Sequence, residues 1–310
     1  MILSVITFFL GAILLYLGAE GLVRGSIHIS KIFGIRPIII GLTVVAFGTS
    51  APEFIVSLIS AVAGSSDIAL GNVVGSNIAN IGLILGIAAL LRPIEVSTRT
   101  LIRYYPVLIL SSGLLYVFAF GDVIGFFHGI FLFGGIVLFT WYLITKTDTV
   151  PVSDLSYRQS GEKHVKILNI IFIIGGAGLL VGGSHLMVNS GITIAREIGV
   201  SEFTIGITLV AIGTSLPELA ATIVAVLKKN TGIILGNIIG SNIFNVLFVI
   251  GGVSMIHPIS VEPSSRIYEF PVMIVFSFVL FLFMRTRFVI TRTEGLLLLA
   301  GYVTFIVFLF

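Results

Sequence analysis

Residues 34–57 read GIRPIIIGLTVVAFGTSAPEFIVS, and 165 positions later residues 199–222 read GVSEFTIGITLVAIGTSLPELAAT. The same offset pairs IALGNVVGSNIANIGLILG at 68–86 with IILGNIIGSNIFNVLFVIG at 233–251, without a gap. Across 34–96 and 199–261, 24 of 63 aligned positions are identical. Chance likeness between two apolar stretches would match Leu, Ile and Val. The matches here are mostly Gly, Thr, Ser, Pro, Glu and Asn, types that hydrocarbon disfavours, so the chain carries an internal duplication.

The surroundings of these motifs set the class. Of 310 residues, 57% are hydrophobic and only 10% charged, mean hydropathy is +1.18 and cysteine is absent. A soluble domain carries roughly a quarter charged residues, so a water-soluble enzyme is excluded, as are a disordered chain, a disulfide scaffold and any Cys-ligated metal site. The net charge of +3 comes from thinly scattered bases and predicts no nucleic-acid partner. Apolar runs able to cross about 30 Å of hydrocarbon fall at 2–23, 37–63, 68–91, 104–120, 124–145, 167–188, 203–227, 233–256, 269–284 and 295–310. None alternates as a barrel strand would. The first has no Lys or Arg before Arg24 and reads as an uncleaved span rather than a signal peptide.

Ten helical spans in a cell membrane, with the N-terminus outside, place 15 of the 17 basic residues in cytoplasmic segments, leaving only Arg196 and Arg266 outside. Both termini are then expected outside. Five spans per half, an odd number, make the halves inverted repeats: 1–145, a cytoplasmic linker 146–166, and 167–310. Inverted repeats typify secondary transporters with a binding site near the bilayer midplane, which favours a carrier over an enzyme. A cation channel is the main rival from another class.

The duplicated GTSxPE motif, Gly48–Glu53 and Gly213–Glu218, lies in the middle of apolar runs. Proline removes a backbone donor and clashes with the preceding turn, so each helix is expected to kink or break there and to free carbonyls around Ala46, Thr49, Ala211 and Thr214. Glu53 and Glu218 follow the break. A carboxylate at this depth costs at least about 2.5–3.5 kcal/mol, and two of them require a cation or a proton. The second motif supplies Ser76, Asn77 and Asn80 within one helical turn, and Ser241, Asn242 and Asn245 in the other copy. Asn72 and Asn237 read as hydrogen-bonding glue between helices, Asn80 and Asn245 as ion ligands. With no thiolate, and no histidine in either motif, all-oxygen ligation selects hard cations such as Ca²⁺, Mg²⁺ or Na⁺. Glu20 and His185, equivalent across the repeat, sit near expected span ends and read as interfacial anchors.

These paired motifs in two five-span halves of opposite hand resemble the cation/calcium exchanger superfamily, specifically its short microbial sodium/calcium exchangers without a large regulatory loop. The resemblance implies an all-α membrane protein of ten transmembrane helices in two inverted-topology five-helix repeats, with broken helices at a central ion site. It implies sodium and calcium as transported ions, the lipid bilayer as environment, and neither a cofactor nor a protein partner. Carried over residue by residue, Glu53 and Glu218 would be the main calcium ligands, shared with sodium, and Thr49 and Thr214 would offer carbonyls to calcium. Ser50, Ser215, Ala46, Ala211, Ser76 and Ser241 would complete flanking sodium sites, with Asn80 and Asn245 lining the middle position. Potassium-dependent relatives resemble this pattern but have Asp where Asn245 stands, which argues against potassium coupling. Proton-coupled calcium exchangers have related motifs and remain the alternative.

Overall fold

The structure, a computed structural model, describes residues 2–146, 163–198 and 213–309. The part of the expected seventh span before Gly213 lies outside the described residues, as does Ala211, and so does the linker between 147 and 162. The described elements are α1 (Ile2–Ile32), α2 (Pro37–Thr49), α3 (Ala51–Val62), α4 (Ser66–Leu91), α5 (Thr100–Phe118), α6 (Phe126–Thr145), α7 (Lys163–Glu197), α8 (Leu216–Leu227), α9 (Thr231–Ile256), α10 (Pro263–Arg285) and α11 (Arg292–Leu309). Seven of these are long and apolar enough to cross a membrane, or eight if the bent pair α2–α3 counts as one span, among the described residues.

Sequence chemistry explains where the helices end. Pro52 sits in the first turn of α3, and α2 and α3 meet at a 42° bend, as expected for a proline that cannot continue the hydrogen-bond ladder. At the far ends of α4 and α9 stand Pro93 and Pro258, and the residue before each is extended: Arg92 at φ −152°, ψ 130°, and His257 at φ −141°, ψ 126°. The proline ring excludes helical geometry at the preceding residue, so both helices stop there. The segments that follow form short antiparallel pairs unanticipated from sequence. β1 (Ile94–Glu95) pairs with β4 (Val289–Ile290), and β2 (Val123–Ile124) pairs with β3 (Ile259–Ser260). Runs of two residues carry no readable alternation.

Helices α1 and α7 run further than the apolar stretches 2–23 and 167–188 implied. Arg24, His28 and Lys31 are therefore helical residues rather than loop residues. Burial separates the helices by role. In their most apolar windows α4 is 78% and α9 94% buried, whereas α1 is 22% and α7 17% buried. The motif helices α4 and α9 therefore hold their polar residues inside protein. Large apolar side chains such as Leu3, Phe127, Phe131 and Trp141 stand exposed, as on a surface that faces lipid.

Two compact units divide the chain, Met1–Thr49 with Thr147–Asn237, and Ser50–Lys146 with Ile238–Phe310. Each draws on both copies of the duplication. In the first unit α1 packs along α7 with backbones close together. A Cβ built on Gly18 would lie 2.7 Å from the Gly176 carbonyl oxygen and from the Leu180 nitrogen. Small residues allow this approach, the usual basis of helix association where no hydrophobic drive exists between helices. Thr7 Oγ1 and Ser190 Oγ, 2.7 Å apart, add a polar link. In the second unit α4 packs against α3, α10 and α11. The fully buried Tyr105 donates its hydroxyl proton to the Ser277 carbonyl, tying α5 to α10.

The α1–α7 seam leads to a stability prediction. Gly18→Leu forces a side chain into backbone that cannot yield, and overpacking of this kind costs about 1–3 kcal/mol. The thermal midpoint in detergent should fall. Gly178→Leu, at a position where an added Cβ meets nothing within 4 Å, should leave it unchanged. Equal midpoints for the two variants would refute the close-packed seam.

Candidate ion-binding site

Both GTSxPE copies build the same local structure. Ser50 precedes α3 at φ −84°, ψ 3°, and Ser215 precedes α8 at φ −86°, ψ 3°. Pro52 and Pro217 occupy the first turn, where the missing N–H costs nothing. Glu53 and Glu218 stand beside them in that same turn. The unsatisfied amides of a helix N-terminus favour negative charge, which offsets part of the penalty of burying an acid. Both glutamates have 0% of their surface exposed.

An asparagine on the next motif helix holds each glutamate's backbone. Asn72 Nδ2 donates to the Glu53 carbonyl at 3.2 Å and to Ser57 Oγ at 2.9 Å. Asn237 Nδ2 donates to the Glu218 carbonyl at 3.2 Å and to Thr222 Oγ1 at 3.0 Å. These contacts, 165 positions apart, are the helix-to-helix bonds expected of Asn72 and Asn237. The Asn237 oxygen also accepts the Thr49 hydroxyl at 3.2 Å, and the same hydroxyl lies 3.3 Å from the Ala46 carbonyl. The break in α2–α3 thus has a partner for one of the carbonyls it was expected to free. In the other copy the Gly213 carbonyl accepts Ser184 Oγ at 2.7 Å.

Asn80 and Asn245 each open a π-helical segment, Asn80–Leu85 in α4 and Asn245–Ile250 in α9. Such segments insert one residue into the helical repeat and recur at functional positions. Nothing in residue type or spacing announces them. Both amide atoms of Asn80 and the Oδ1 of Asn245 are buried with no hydrogen-bond partner among the described residues. Leaving a buried polar atom unsatisfied costs about 1–3 kcal/mol, so these oxygens are atoms whose use by a ligand would explain their position.

Of the candidate residues named from sequence, all but Ala211 are described, and every one is buried. Ala46, Thr49, Ser50, Glu53, Asn80, Glu218, Ser241 and Asn245 show 0% exposure, Ser76 1%, Ser215 2% and Thr214 8%. The described residues contain no group of three or more His, Asp or Glu able to share a metal ion. A hard cation accepts neutral oxygens from hydroxyls, amides and carbonyls as well as carboxylates.

Glu20, read from sequence as an interfacial anchor, makes a long-range ion pair. It lies in α1, and its carboxylate pairs with Lys228 Nζ at 2.7 Å, just past the end of α8. The partners are far apart in sequence, and only the packing of α1 on α8 could reveal the pair.

Buried acids, amides and hydroxyls on broken or π-interrupted helices, among other spans whose apolar surface is exposed, define a polytopic helical membrane protein with a polar interior. Known proteins sharpen that class. The family profile described as sodium/calcium exchanger protein matches residues 3–145 and 168–310. The sodium/calcium exchanger MaX1 of Methanosarcina acetivorans is 33% identical over 338 residues, covering 97% of this chain and 97% of that protein. The putative antiporter CaxA of Alkalimonas amylolytica is 38% identical over 318 residues, covering 100% and 99%. A solved structure of the sodium-calcium exchanger NCX_Mj, soaked without Na⁺ and Ca²⁺, is similar with a TM-score of 0.87 and 32% identity, covering 100% of this chain and 99% of that one. The chain belongs to the sodium/calcium exchanger family.

The asparagine brace can be tested directly. Asn237→Leu removes the bonds to the Glu218 carbonyl and to Thr222, and if Glu218 is an ion ligand the loss of a group that orients it costs about 10-fold in metal affinity. Calcium binding to the purified variant should weaken by that factor while the protein stays monodisperse. Unchanged affinity would strip Asn237 of a supporting role.

Proposed function

We propose that this chain is a secondary active antiporter that exchanges sodium for calcium across the cell membrane, both ions using the same two glutamates in turn. The observation that carries this reading is the complete burial of Glu53 and Glu218, each at a helix start held by an asparagine in the same way. Family membership supports it.

Charge then accounts for coupling. Two ionised glutamates carry −2, which one Ca²⁺ or two Na⁺ can balance. A shared site cannot hold both loads, so the ions exclude one another and the carrier returns with whichever it has bound. If more than two Na⁺ enter, net charge crosses, and the membrane potential contributes about 2.3 kcal/mol per charge per 100 mV. Calcium takes 6–8 oxygens in flexible geometry. Besides the two carboxylates, the proposed donors are carbonyls of Thr49 and Thr214 for calcium. Ser50, Ser215, Ala46, Ala211, Ser76 and Ser241 serve flanking sodium sites, and Asn80 and Asn245 the middle position.

The proposed architecture is ten spans in two inverted halves, 1–145 and 167–310, joined by a cytoplasmic linker, with both termini outside. The excess of basic residues on one side supports that orientation. Alternating access is proposed to come from the first and sixth spans, α1 and α7, sliding over a core of spans two, three, seven and eight. The glycine-lined packing of α1 along α7 within one unit supports their moving together.

Flux into sealed vesicles tests the function. Calcium uptake should require an opposing sodium gradient, and Glu53→Gln or Glu218→Gln should reduce it at least 10-fold with the protein still folded, in line with the cost of losing a transported-ion ligand. Uptake indifferent to sodium but dependent on pH would favour proton coupling, and uptake needing no counter-ion would mean a channel. Asn245→Asp should change sodium and potassium competition against calcium without abolishing binding. Wild-type competition in that variant would remove Asn245 from the site.

A further inference from the structure

The duplication gives both halves the same Ser-Asn-x-x-Asn pattern, yet the structure treats the two copies differently. Asn77 lies on α4 one turn before Asn80 and is 1% exposed. Its Nδ2 donates to the Asn242 carbonyl at 3.4 Å and faces Met273 Sδ at 3.6 Å. Its Oδ1 accepts Nδ2 of Asn245 at 3.1 Å. All four residues belong to the same unit.

An asparagine amide offers two donors on one side and an acceptor on the other. Two acceptors around the Asn77 nitrogen fix which way that amide points, so its oxygen must face Asn245. Facing an oxygen, Asn245 must present its N–H, and this turns its own Oδ1 away from Asn77. That Oδ1 is the buried atom left without a hydrogen-bond partner among the described residues. A cation is attracted by an amide oxygen and repelled by an N–H, so the orientation decides whether Asn245 helps or hinders ion binding.

No mirrored contact exists among the described residues. Both amide atoms of Asn242, equivalent to Asn77, and both of Asn80, equivalent to Asn245, have no hydrogen-bond partner there. The two halves share these residue types, so the asymmetry belongs to the folded arrangement and cannot be read from the motif.

We propose that Asn77 is a positioning residue for ion selection: it clamps the Asn245 amide with the oxygen presented to the transported cation, while Asn80 has no such clamp. The proposal rests on the reading of Asn245 as an ion ligand. Residues that orient a metal ligand typically contribute 10–100-fold to affinity, although they never touch the ion.

A double-mutant cycle on the full chain in vesicles tests this, using Asn77→Leu, Asn245→Ala and the double variant. The readout is the ratio of half-inhibitory sodium to half-saturating calcium concentration, which a general loss of folded protein would not move. Each single change should shift the ratio about 10-fold in the same direction, and the double variant should go no further than Asn245→Ala alone. If Asn245→Ala shifts the ratio and Asn77→Leu does not, or if the two shifts multiply, the clamp is refuted while the ligand reading stands. If Asn245→Ala leaves the ratio unchanged, the ligand reading fails and takes the clamp with it. Should Asn77→Leu not fold, the smaller Asn77→Ala also removes the acceptor from Asn245 and enters the same cycle.

Discussion

A carboxyl group inside an apolar helix bundle demands a cation or a proton, and this chain buries two such groups, Glu53 and Glu218. Much of the architecture follows from that demand. Each glutamate sits in the first turn of a helix that begins beside a proline, at the helix end whose dipole favours negative charge. Asn72 and Asn237 fix the glutamate backbones from the neighbouring motif helices, and those helices are the most buried of the long spans. Hydroxyls and amide oxygens gather in the same helices, suited to a hard cation rather than to a thiolate-seeking metal. The lipid-facing helices α1, α6 and α7 carry the apolar surface that lets so polar an interior exist within a membrane.

The family and the buried polar positions were legible from sequence because they depend on residue type and repetition. Glu53, Glu218 and their flanking prolines stand out against apolar runs, and the offset of 165 matches them pair by pair. The same signal marked Asn72 and Asn237 as bridges, which they are, and Asn80 and Asn245 as ligand candidates, whose side chains are buried with amide atoms left unpaired among the described residues. Helix breaks at Pro52 and stops at Pro93 and Pro258 follow from covalent geometry, which any local stretch reports.

What sequence concealed depends on contacts distant in the chain. The π-helical segments at Asn80 and Asn245 carry no compositional mark, since a helix accommodates one extra residue only when its neighbours allow it. The Glu20–Lys228 pair joins residues that only the packing of α1 on α8 brings together. The extra length of α1 and α7 was hidden because Arg24 and Lys31 read as the edge of hydrocarbon, whereas a helix can continue past the bilayer with its charged side chains in water. The clamp on Asn245 breaks a symmetry that the motif itself keeps, and only the fold decides which copy is held.

Competition of calcium and sodium for the same two buried acids is the claim that everything functional depends on. Its most direct test is anomalous diffraction from crystals soaked in Sr²⁺ as a calcium surrogate, with and without high sodium. A single strong peak should appear about 2.3–2.6 Å from carboxylate oxygens of both Glu53 and Glu218 and disappear as sodium rises. A peak remote from either glutamate, or one that persists undiminished in saturating sodium, would contradict the account.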